Sequence, residues 1–461
     1  METRIKRLSP YAMASLVAMT ALTGCSSAVP DKPADKTAPP EQTAQTAPAA
    51  PSKGTKEPVV SAEPVTLKFY AHVAEMDEGT FKTYIYDFVK KKYPNITLEF
   101  SFGPAGNLAK LIAAGTIPDI IYSGSDNYMS MKDLGIPYDM GDLLKANNFD
   151  LSVFTDLSME TLKGLGAGKV TAVPFGRNAS ALYYNKDLFD KFGVPYPTND
   201  MTYDDVISLA RKMTRTENGV QYIGWEPGFP DANASPFIQP FVDTKTNKAL
   251  VDTPFYKKIF DMMKTGYEIP GFIGPNNTFR YAPKSFVDDH VIGMYVDWYN
   301  KMLLQFLTSD ANGNAANWDL VTVPNFTENA KMGRHESVQF MLVTKQTKYK
   351  DQAIQVIKAA TSTEAQLLQA RTGRISVLKD PEMLKQFAKD VKALQGKHLE
   401  NLFQYKAAPS AQATIYDDDI RTIVRNVSKE IAVNHKDVNT ALREAQEMAD
   451  KKVAEINAAK K

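Results

Sequence analysis

Adjacent carboxylates are the first candidates for catalytic chemistry in this chain, at Asp288-Asp289 and at Asp417-Asp418-Asp419. Carboxylates that are neighbours in sequence do not face one another across a substrate, whereas a glycosidase pair needs a separation of roughly 5–10 Å. The glycine-rich segment 164–169 lacks the spacing of a phosphate-binding loop and the Ser or Thr after its lysine. Residues 310–314 loosely follow a calcium loop, but Val321 stands where a glutamate is needed. The sequence therefore favours a non-enzyme with no resident cofactor.

The only cysteine, Cys25, stands directly behind a secretion signal. Three basic residues open the chain, and the apolar run from Tyr11 to Leu22 has about 12 residues, whereas a membrane-spanning helix needs roughly 20. This pattern predicts a signal peptide over residues 1–24. Leu22-Thr-Gly-Cys25 resembles the lipobox of bacterial lipoproteins, which implies cleavage before Cys25 and a diacylglycerol on its thiol. The mature protein is then expected on the extracellular face of the cell membrane, held by lipid.

Charge and composition argue against several classes of partner. The chain has 54 basic and 53 acidic residues among 461, and the segment 1–24 carries three basic residues and one acidic residue. The mature chain would therefore hold 51 basic and 52 acidic residues, a balance that gives no support to a nucleic-acid-binding surface. Five scattered histidines and one lipidated cysteine leave no metal site of known spacing. No second long apolar run follows Cys25, so we expect no membrane-spanning segment after it.

The segment between Cys25 and the first ordered element has the composition of a linker. Residues 26–63 hold mainly Ala, Thr, Pro, Lys and Glu, with no aromatic side chain. Such a segment cannot bury enough apolar surface to offset the entropy of ordering. We therefore predict that residues 25–64 are the lipidated cysteine and a disordered linker, which spans roughly 35 Å as a coil.

Strand and helix patterns alternate from Val65 onward. Alternating apolar residues predict strands over 65–71 and 96–102, and a short buried strand is predicted over 117–122. Helical spacing predicts helices over 81–88 and 108–112. This β-α-β-α-β order implies a parallel sheet with helices packed on it. Ligands bind beyond the carboxyl ends of such strands. The strand ends at 70–72 and 123–126 are therefore candidate ligand positions.

A second block of elements begins near Lys169. The patterns predict further strands and helices over 169–174, 181–184, 185–192, 203–213, 293–296, 318–323 and 353–360. Thr202 is predicted to cap the helix that starts at residue 203, and Thr361 with Glu364 is predicted to form a capping box. From Ile415 to the end of the chain the pattern is almost wholly helical.

Several of these blocks carry a family resemblance: Val173-Pro-Phe-Gly, Leu182-Tyr-Tyr-Asn-Lys-Asp-Leu-Phe189, Gly193-Val-Pro, Tyr203 to Met213, Ala113-Ala-Gly-Thr-Ile-Pro-Asp119, Phe286 to Trp298, and Lys348 to Val377. In this order they resemble the extracellular solute-binding proteins of ABC importers, the family that includes maltose-binding protein. The resemblance covers most of residues 65–377. The lipobox and the linker add independent support, because Gram-positive members of this family are usually lipoproteins.

The resemblance implies an α/β fold of the type II periplasmic-binding-protein class, in which two α/β lobes enclose a ligand cleft and hinge segments join them. We expect the first lobe at 65–174 plus 319–370 and the second at 175–318 plus 371–461, with Pro174 and Phe175 in the first hinge. In this family the ligand contacts both lobes and stabilises a closed state, which a membrane permease recognises. We expect a monomer.

The resemblance also implies which residues contact the solute. Sugar sites combine aromatic faces with carboxylates, amides and arginines that bond hydroxyl groups. Trp298 stands where the family often places a stacking aromatic, with Asp297 and Tyr299 beside it. Trp225 leads into a loop that faces the cleft in relatives. Further candidates lie at strand ends, after the first hinge, or where the family re-enters the cleft: Tyr70, His72, Asp126, Arg177, Asn178 and Arg374.

The cleft aromatics favour an oligosaccharide as the solute. Arg177 and Arg374 leave room for an acidic sugar, and peptides or other solutes stay open. Two other functions also stay open, a ligand-sensing surface lipoprotein with the same fold and a surface-anchored carbohydrate-active enzyme. A sensor would bind a kinase ectodomain in a ligand-dependent way, whereas an importer component would bind permease loops and be needed for growth on its ligand.

Overall fold

The computed structural model describes residues 63–72, 76–104, 106–329 and 331–459. The predicted signal peptide, Cys25 and nearly all of the predicted linker lie outside the described residues. The strands are β1 (Val65–His72), β2 (Ile96–Gly103), β3 (Ile120–Gly124), β4 (Val173–Asn178), β5 (Ser180–Asn185), β6 (Arg215–Glu217), β7 (Val220–Glu226), β8 (Ile292–Trp298), β9 (Trp318–Val321), β10 (Met332–Gly333), β11 (Ser337–Val343) and β12 (Lys406–Ala407).

The helices occupy most of the remaining described chain. They are α1 (Glu78–Phe81), which continues through a π-helical turn (Lys82–Tyr86) into α2 (Asp87–Lys92), then α3 (Asn107–Ala113), α4 (Tyr128–Asp133), α5 (Gly141–Ala146), α6 (Asp156–Leu165), α7 (Lys186–Phe192), α8 (Tyr203–Met213), α9 (Pro230–Ala234), α10 (Pro254–Tyr267), α11 (Pro283–Val287), α12 (Tyr299–Ala311), α13 (Lys350–Ala360), α14 (Thr363–Arg371), α15 (Pro381–Lys385), α16 (Asp417–Ala432) and α17 (Val438–Ala459). Short 3₁₀ segments lie at Ser125–Asn127, Ser235–Phe237, Pro275–Asn277, Thr327–Asn329, Lys392–Leu394 and Leu399–Phe403. Within the described ranges, no helix combines the length and apolar character needed to cross a bilayer.

The first sheet has the strand order β2-β1-β3-β11-β4. β1 pairs in parallel with both β2 and β3, which confirms the predicted β-α-β-α-β unit. β11, which comes from much later in the chain, lies between β3 and β4 and is antiparallel to both. The carboxyl ends of β1 and β3 therefore lie at the same edge of this sheet.

The second sheet has the order β6-β7-β8-β5-β9. β7 and β8 are parallel, so their carboxyl ends, at Glu226 and Trp298, lie at one edge. β5 pairs in antiparallel fashion with β8 and β9. α8 packs against this sheet through Val206, Leu209, Ala210 and Met213, and a capping box between Thr202 and Asp205 fixes its start.

Each sheet supports its own apolar core. Along the described residues the chain passes from the first core to the second between Phe175 and Ala179 and returns between Val323 and Val338. After Ala360 it alternates, with Ile375 in the second core and Val377 in the first, and it stays with the second core from Ala388 onward. Strand β9 and Val323 lie in the second core, so the chain leaves that core after residue 323, whereas the sequence interpretation placed the change at 318/319. Phe175 is fully buried in the first core.

Three local predictions differ from the structure. The strand predicted at 169–174 begins at Val173 and continues through Pro174 to Asn178. A proline is tolerated there because β4 is an edge strand, and the pairing register shifts beside it. The third strand begins at Ile120 rather than at residue 117. Ser362, rather than Thr361, caps α14, because Thr361 Oγ1 instead donates to the Ile357 carbonyl of the preceding helix.

Candidate ligand-binding site

A cavity of about 970 Å³ lies between the two cores. The wall is built at strand ends. Asp126 and Phe229 follow β3 and β7, and Trp298 is the last residue of β8. The first core contributes only a small part of the wall, through Ser125, Asp126, Met129 and Leu165. Most of the wall comes from the elements of the second core and from the first turns of α16.

Trp298 and Asp297 end β8 and both line the cavity. The Trp298 ring is half-buried and meets the His335 ring edge to face, with 5.3 Å between ring centres. Asp297 accepts a hydrogen bond from Lys301 Nζ at 2.7 Å, and its other oxygen accepts one from the Trp298 backbone N–H at 2.7 Å. The strand end therefore presents an aromatic ring beside a carboxylate that is held in place by neighbours.

Asp126 is the predicted residue that reaches the cavity from the first core. Its Oδ1 lies 3.2 Å from His335 Nε2, and its side chain is 40% exposed. Partial burial raises the pKa of Asp126, but the hydrogen bond and charge of His335 lower it more, with a net fall to about 2. His335 lies on the segment that passes between the cores, and its backbone N–H donates to Ser235 Oγ. The carboxylate is therefore ionised at neutral pH and tied to that segment.

Most cationic side chains of the wall are paired with carboxylates. Arg425 binds Asp231 through two hydrogen bonds, and Arg421 binds Asp418 at 2.7 Å. Arg280 Nε lies 2.9 Å from Glu226 Oε1. Burial raises the pKa of Glu226 to about 7, against the opposing effects of Arg280 and of two backbone N–H groups.

Arg334 differs from these cations. It is only 6% exposed and lines the cavity, yet its described partner is the neutral amide of Asn233, to which Nη2 donates. Among the described residues no carboxylate lies within 4 Å of its guanidinium nitrogens, and Nε has no hydrogen-bond partner. Two residues away, Glu336 pairs with Arg177 instead, at 2.7 and 2.9 Å. Arg334 thus gives this part of the wall an uncompensated positive charge.

Four other predicted residues lie in the cores. Trp225 is 1% exposed and packs against the Tyr203 ring and α10, while Tyr299 is fully buried beside Phe387. Strand alternation places the side chains of Trp225 and Glu226 on opposite faces of the second sheet, and the face of Trp225 is covered by α8 and α10. Tyr70 accepts a hydrogen bond from Asn107, and His72 is 2% exposed, with its carbonyl bonded to Ser123.

The last three predicted residues lie around the passages between the cores. Arg177 forms the bidentate pair with Glu336, and Asn178 Oδ1 accepts from the Asn300 backbone N–H at 2.9 Å. The guanidinium carbon of Arg374 lies 4.9 Å from the centre of the Tyr84 ring. The structure thus brings three of the ten predicted residues together at the cavity, namely Asp126, Asp297 and Trp298.

Phe229 lies in the loop after Trp225 that was predicted to face the cleft, although it was not named as a site residue. Other wall residues were not anticipated from the sequence: Asp231, Arg280, His335, Arg421 and Arg425. Asp418, Arg421 and Arg425 form one polar stripe on α16, opposite the buried Ile420, Val424 and Val427. That stripe could be found from the 3–4 spacing, but its position against the loop after β7 follows only from tertiary packing. Within the described ranges, no group of three or more His, Cys, Asp or Glu side chains could hold a metal ion.

Comparisons with known proteins agree with this architecture. The family model for the bacterial extracellular solute-binding protein matches residues 74–367. The multiple sugar-binding protein of Streptococcus mutans is 27% identical over 153 residues, which are 32% of this chain and about a third (34%) of that protein.

Solved structures extend the likeness over most of the chain. An ABC substrate-binding protein of Listeria monocytogenes in complex with cycloalternan has a TM-score of 0.69 at 17% identity, covering 85% of this chain and 100% of that chain. The sugar-binding protein MalE from Xanthomonas citri has a TM-score of 0.65 at 17% identity, covering 86% and 99%.

The protein therefore belongs to the bacterial extracellular solute-binding protein family. Its fold is of the type II periplasmic-binding-protein class, in which two α/β lobes enclose a cleft. The first and second cores described above are the cores of the first and second lobes.

Proposed function

We propose that this protein captures an oligosaccharide in the cavity between its lobes and delivers it to the permease of an ABC importer. The observation that carries the proposal is the cavity wall, which combines the half-buried Trp298 ring with carboxylates and guanidinium groups held by partners. An aromatic face packs on the C–H face of a sugar ring, while fixed donors and acceptors bond its hydroxyl groups. The sugar-binding name of the Streptococcus relative and the cycloalternan complex support the same ligand class.

In the proposed binding mode, Trp298 stacks on one sugar ring and Asp297 accepts hydrogen bonds from its hydroxyl groups. Asp126 binds the same saccharide from the first lobe, so the ligand bridges the two lobes. The bridge favours the closed state by no more than the difference between the affinities of the closed and open states. Permease loops would then recognise the closed form, and the protein acts as a monomer.

An acidic saccharide is the second candidate ligand, and Arg334 is the observation that favours it. A buried guanidinium without a carboxylate partner is unfavourable, and a carboxylate on the ligand would relieve that cost. We expect Arg334→Gln to abolish any preference for oligogalacturonides over the same oligomers after carboxyl reduction. Titration calorimetry on the two matched ligands measures that preference. An equal preference in the variant and the wild type would exclude Arg334 as its source.

We also propose that Cys25 carries a lipid and that a linker joins it to the lobes. Cys25→Ser should release the protein from the membrane into the medium, as measured by cell fractionation. Unchanged membrane retention would contradict the anchor. A sensory role with the same fold would appear as ligand-dependent binding to a kinase ectodomain, with no growth defect on the ligand after deletion.

The proposal is tested by the melting temperature of the Cys25→Ser form against a panel of cycloalternan, mannobiose, maltotriose, cellotriose, oligogalacturonides, tripeptides and divalent metal ions. A ligand at 100 times its dissociation constant adds about 2.7 kcal/mol, which raises the melting temperature by a few degrees. A rise with a saccharide, without turnover of that saccharide, supports the proposal. A rise with peptides or metal ions alone would overturn it, and turnover would indicate an enzyme.

A further inference from the structure

Phe229 lies between two arginine side chains on the second-lobe wall of the cavity. The guanidinium carbons of Arg280 and Arg425 each lie 3.9 Å from the centre of the Phe229 ring. One face of a phenyl ring has room for a single guanidinium group at that distance, so the two groups cover opposite faces. All three residues line the cavity, and we call them the arginine–phenylalanine stack.

Each guanidinium group of the stack is held on a carboxylate. Arg425 donates from Nε and Nη2 to the two oxygens of Asp231 at 2.8 and 2.6 Å. Arg280 Nε lies 2.9 Å from Oε1 of Glu226, which is fully buried. Asp231 offsets the positive charge of Arg425, and Glu226 offsets that of Arg280 when it is ionised. The N–H groups that these pairs do not use, such as those on Arg425 Nη1, stay available to a ligand.

The covered faces of Phe229 limit what its ring can do. Phe229 is 38% exposed although a guanidinium group covers each face, so the exposed part is the edge of the ring. A saccharide stacks on an open aromatic face, and Phe229 has none to offer. The half-buried Trp298 ring has no such pair of guanidinium groups among the described cation–ring contacts. The two aromatic residues of the wall therefore have different roles.

The stack also joins parts of the chain that are far apart in sequence. Phe229 follows β7, Arg280 precedes α11, and Arg425 lies on α16. A ring inserted between two cations fixes their spacing and the direction of their planar faces. Without the ring, each arginine keeps its carboxylate but gains freedom to rotate about its side-chain bonds.

We propose that Phe229 is a positioning residue, which holds two guanidinium groups in register for neighbouring hydroxyl groups of a neutral saccharide. This inference rests on the proposed function and names a determinant of its specificity. A planar guanidinium group matches two oxygens on adjacent carbons, and the acidic partner that each arginine already has favours hydroxyl groups over carboxylates at this part of the wall.

A double-mutant cycle tests the proposal, with Phe229→Leu, Arg425→Lys and the combined variant of the Cys25→Ser form. Arg425→Lys keeps the charge on Asp231 but removes the planar group. Affinity is measured by titration calorimetry with the neutral panel saccharide that raises the melting temperature most. If Phe229 acts through the arginines, each single variant binds the saccharide about tenfold less tightly than the wild type. The combined variant then loses no more than about a further threefold in affinity, relative to the single variant that binds less tightly.

Two controls separate positioning from stacking and from folding. Trp298→Leu combined with Arg425→Lys should show losses that multiply, because Trp298 is proposed to contact the saccharide directly. Phe229→Tyr keeps the ring and should retain wild-type affinity. Phe229→Met keeps similar volume without a ring and replaces Phe229→Leu if that variant is unfolded at the titration temperature.

The cycle also has outcomes that overturn the inference. If the losses of affinity in Phe229→Leu and Arg425→Lys multiply in the combined variant, Phe229 contacts the saccharide directly and not through the arginine. Wild-type affinity in Phe229→Leu would show that Phe229 has only a structural role. The same conclusion would follow if Phe229→Leu kept the wild-type ratio between the affinities for the two neutral saccharides that bind best. Absence of binding by the wild type to every saccharide of the panel would instead overturn the proposed function.

Discussion

The two walls of the cavity differ in number and kind of side chain. In the part of the chain that the structure describes, the first lobe presents one charged group at the cavity, Asp126, beside Ser125, Met129 and Leu165. The second lobe presents Trp298, the arginine–phenylalanine stack and most of the charged pairs. The Asp126 carboxylate is bonded to His335 on a segment between the lobes, whereas the second-lobe charges are bonded to one another.

This difference indicates that the two lobes contribute differently to ligand binding. A wall that already holds its donors and acceptors in place binds a ligand with little further ordering. The first-lobe wall adds few contacts, but those contacts exist only when the lobes are close. We therefore expect the second lobe to provide most of the affinity and Asp126 to provide the preference for the closed state.

The largest effect is expected for Trp298→Ala, which removes the aromatic face of the second-lobe wall. Binding of the panel saccharide should weaken about 100-fold, or about 2.7 kcal/mol, as is usual for a central aromatic contact. The melting temperature without ligand should change little, because the ring is half-buried. Titration calorimetry and thermal unfolding measure the two quantities.

Trp318 is the matched control for that variant. It is 3% exposed and stacks on Phe306 with 3.9 Å between ring centres, inside the second core. Trp318→Ala should lower the free energy of unfolding by about 3–5 kcal/mol. Wild-type affinity in Trp298→Ala would show that the saccharide does not bind at this wall. It would also contradict the proposed difference between the two lobes.

A smaller effect is expected for Asp126→Ala, on the first-lobe wall. Loss of one charge-assisted hydrogen bond should weaken binding about tenfold. The closed fraction with saturating saccharide should also fall, as measured by small-angle X-ray scattering. Asp142→Ala, at an exposed position of the first lobe, should change neither quantity. An Asp126→Ala variant that loses as much affinity as Trp298→Ala would contradict the proposed difference between the two lobes.

The smallest effect is a pH dependence confined to the second lobe. The pKa of Glu226 is raised from an ordinary 4.5 to about 7, so the folded state holds a proton that the unfolded chain releases. Its contribution to stability is full below pH 4.5 and is lost as the pH rises through 7. Between pH 6 and 8 the wild type should lose about 1 kcal/mol relative to Glu226→Gln. Thermal unfolding at both pH values measures this, and equal slopes would contradict it.

Hydrogen exchange gives the spatial check on that pH effect. Glu226 contacts Arg280, Gly228 and Tyr281, all in the second lobe. Faster exchange at pH 8, corrected for the intrinsic rate and compared with Glu226→Gln, should therefore appear in β7 and α10. The same change in β1 to β3 would show that the two lobes unfold as one unit.

Local patterns predicted most elements because each depends on nearby residues. The alternation from Val65 to His72 and the 3–4 spacing from Val206 to Met213 correspond to observed strands and helices. Helix boundaries do not follow from the pattern where two neighbouring residues could each cap the helix. Ser362 caps α14 because Thr361 bonds back into α13, a choice that composition alone does not decide.

The site was predictable only where it follows directly from a strand end. Asp126 and Trp298 end or follow strands whose carboxyl ends meet at the cavity. Trp225 is the residue before the last in β7, and alternation along the strand turns its ring into the core. Arg425 comes from a helix about 200 residues further along, and only tertiary packing brings it to Phe229.

The most direct test of saccharide capture in this cavity is a crystal structure of the Cys25→Ser form with the best neutral saccharide of the panel. We predict one sugar ring on the open face of Trp298, with hydroxyl groups within hydrogen-bond distance of Asp297 and Asp126. The arginine–phenylalanine stack should stay intact, with its guanidinium groups on further hydroxyl groups. A saccharide bound outside the cavity, or stacked on Phe229 in place of an arginine, would contradict the proposed site.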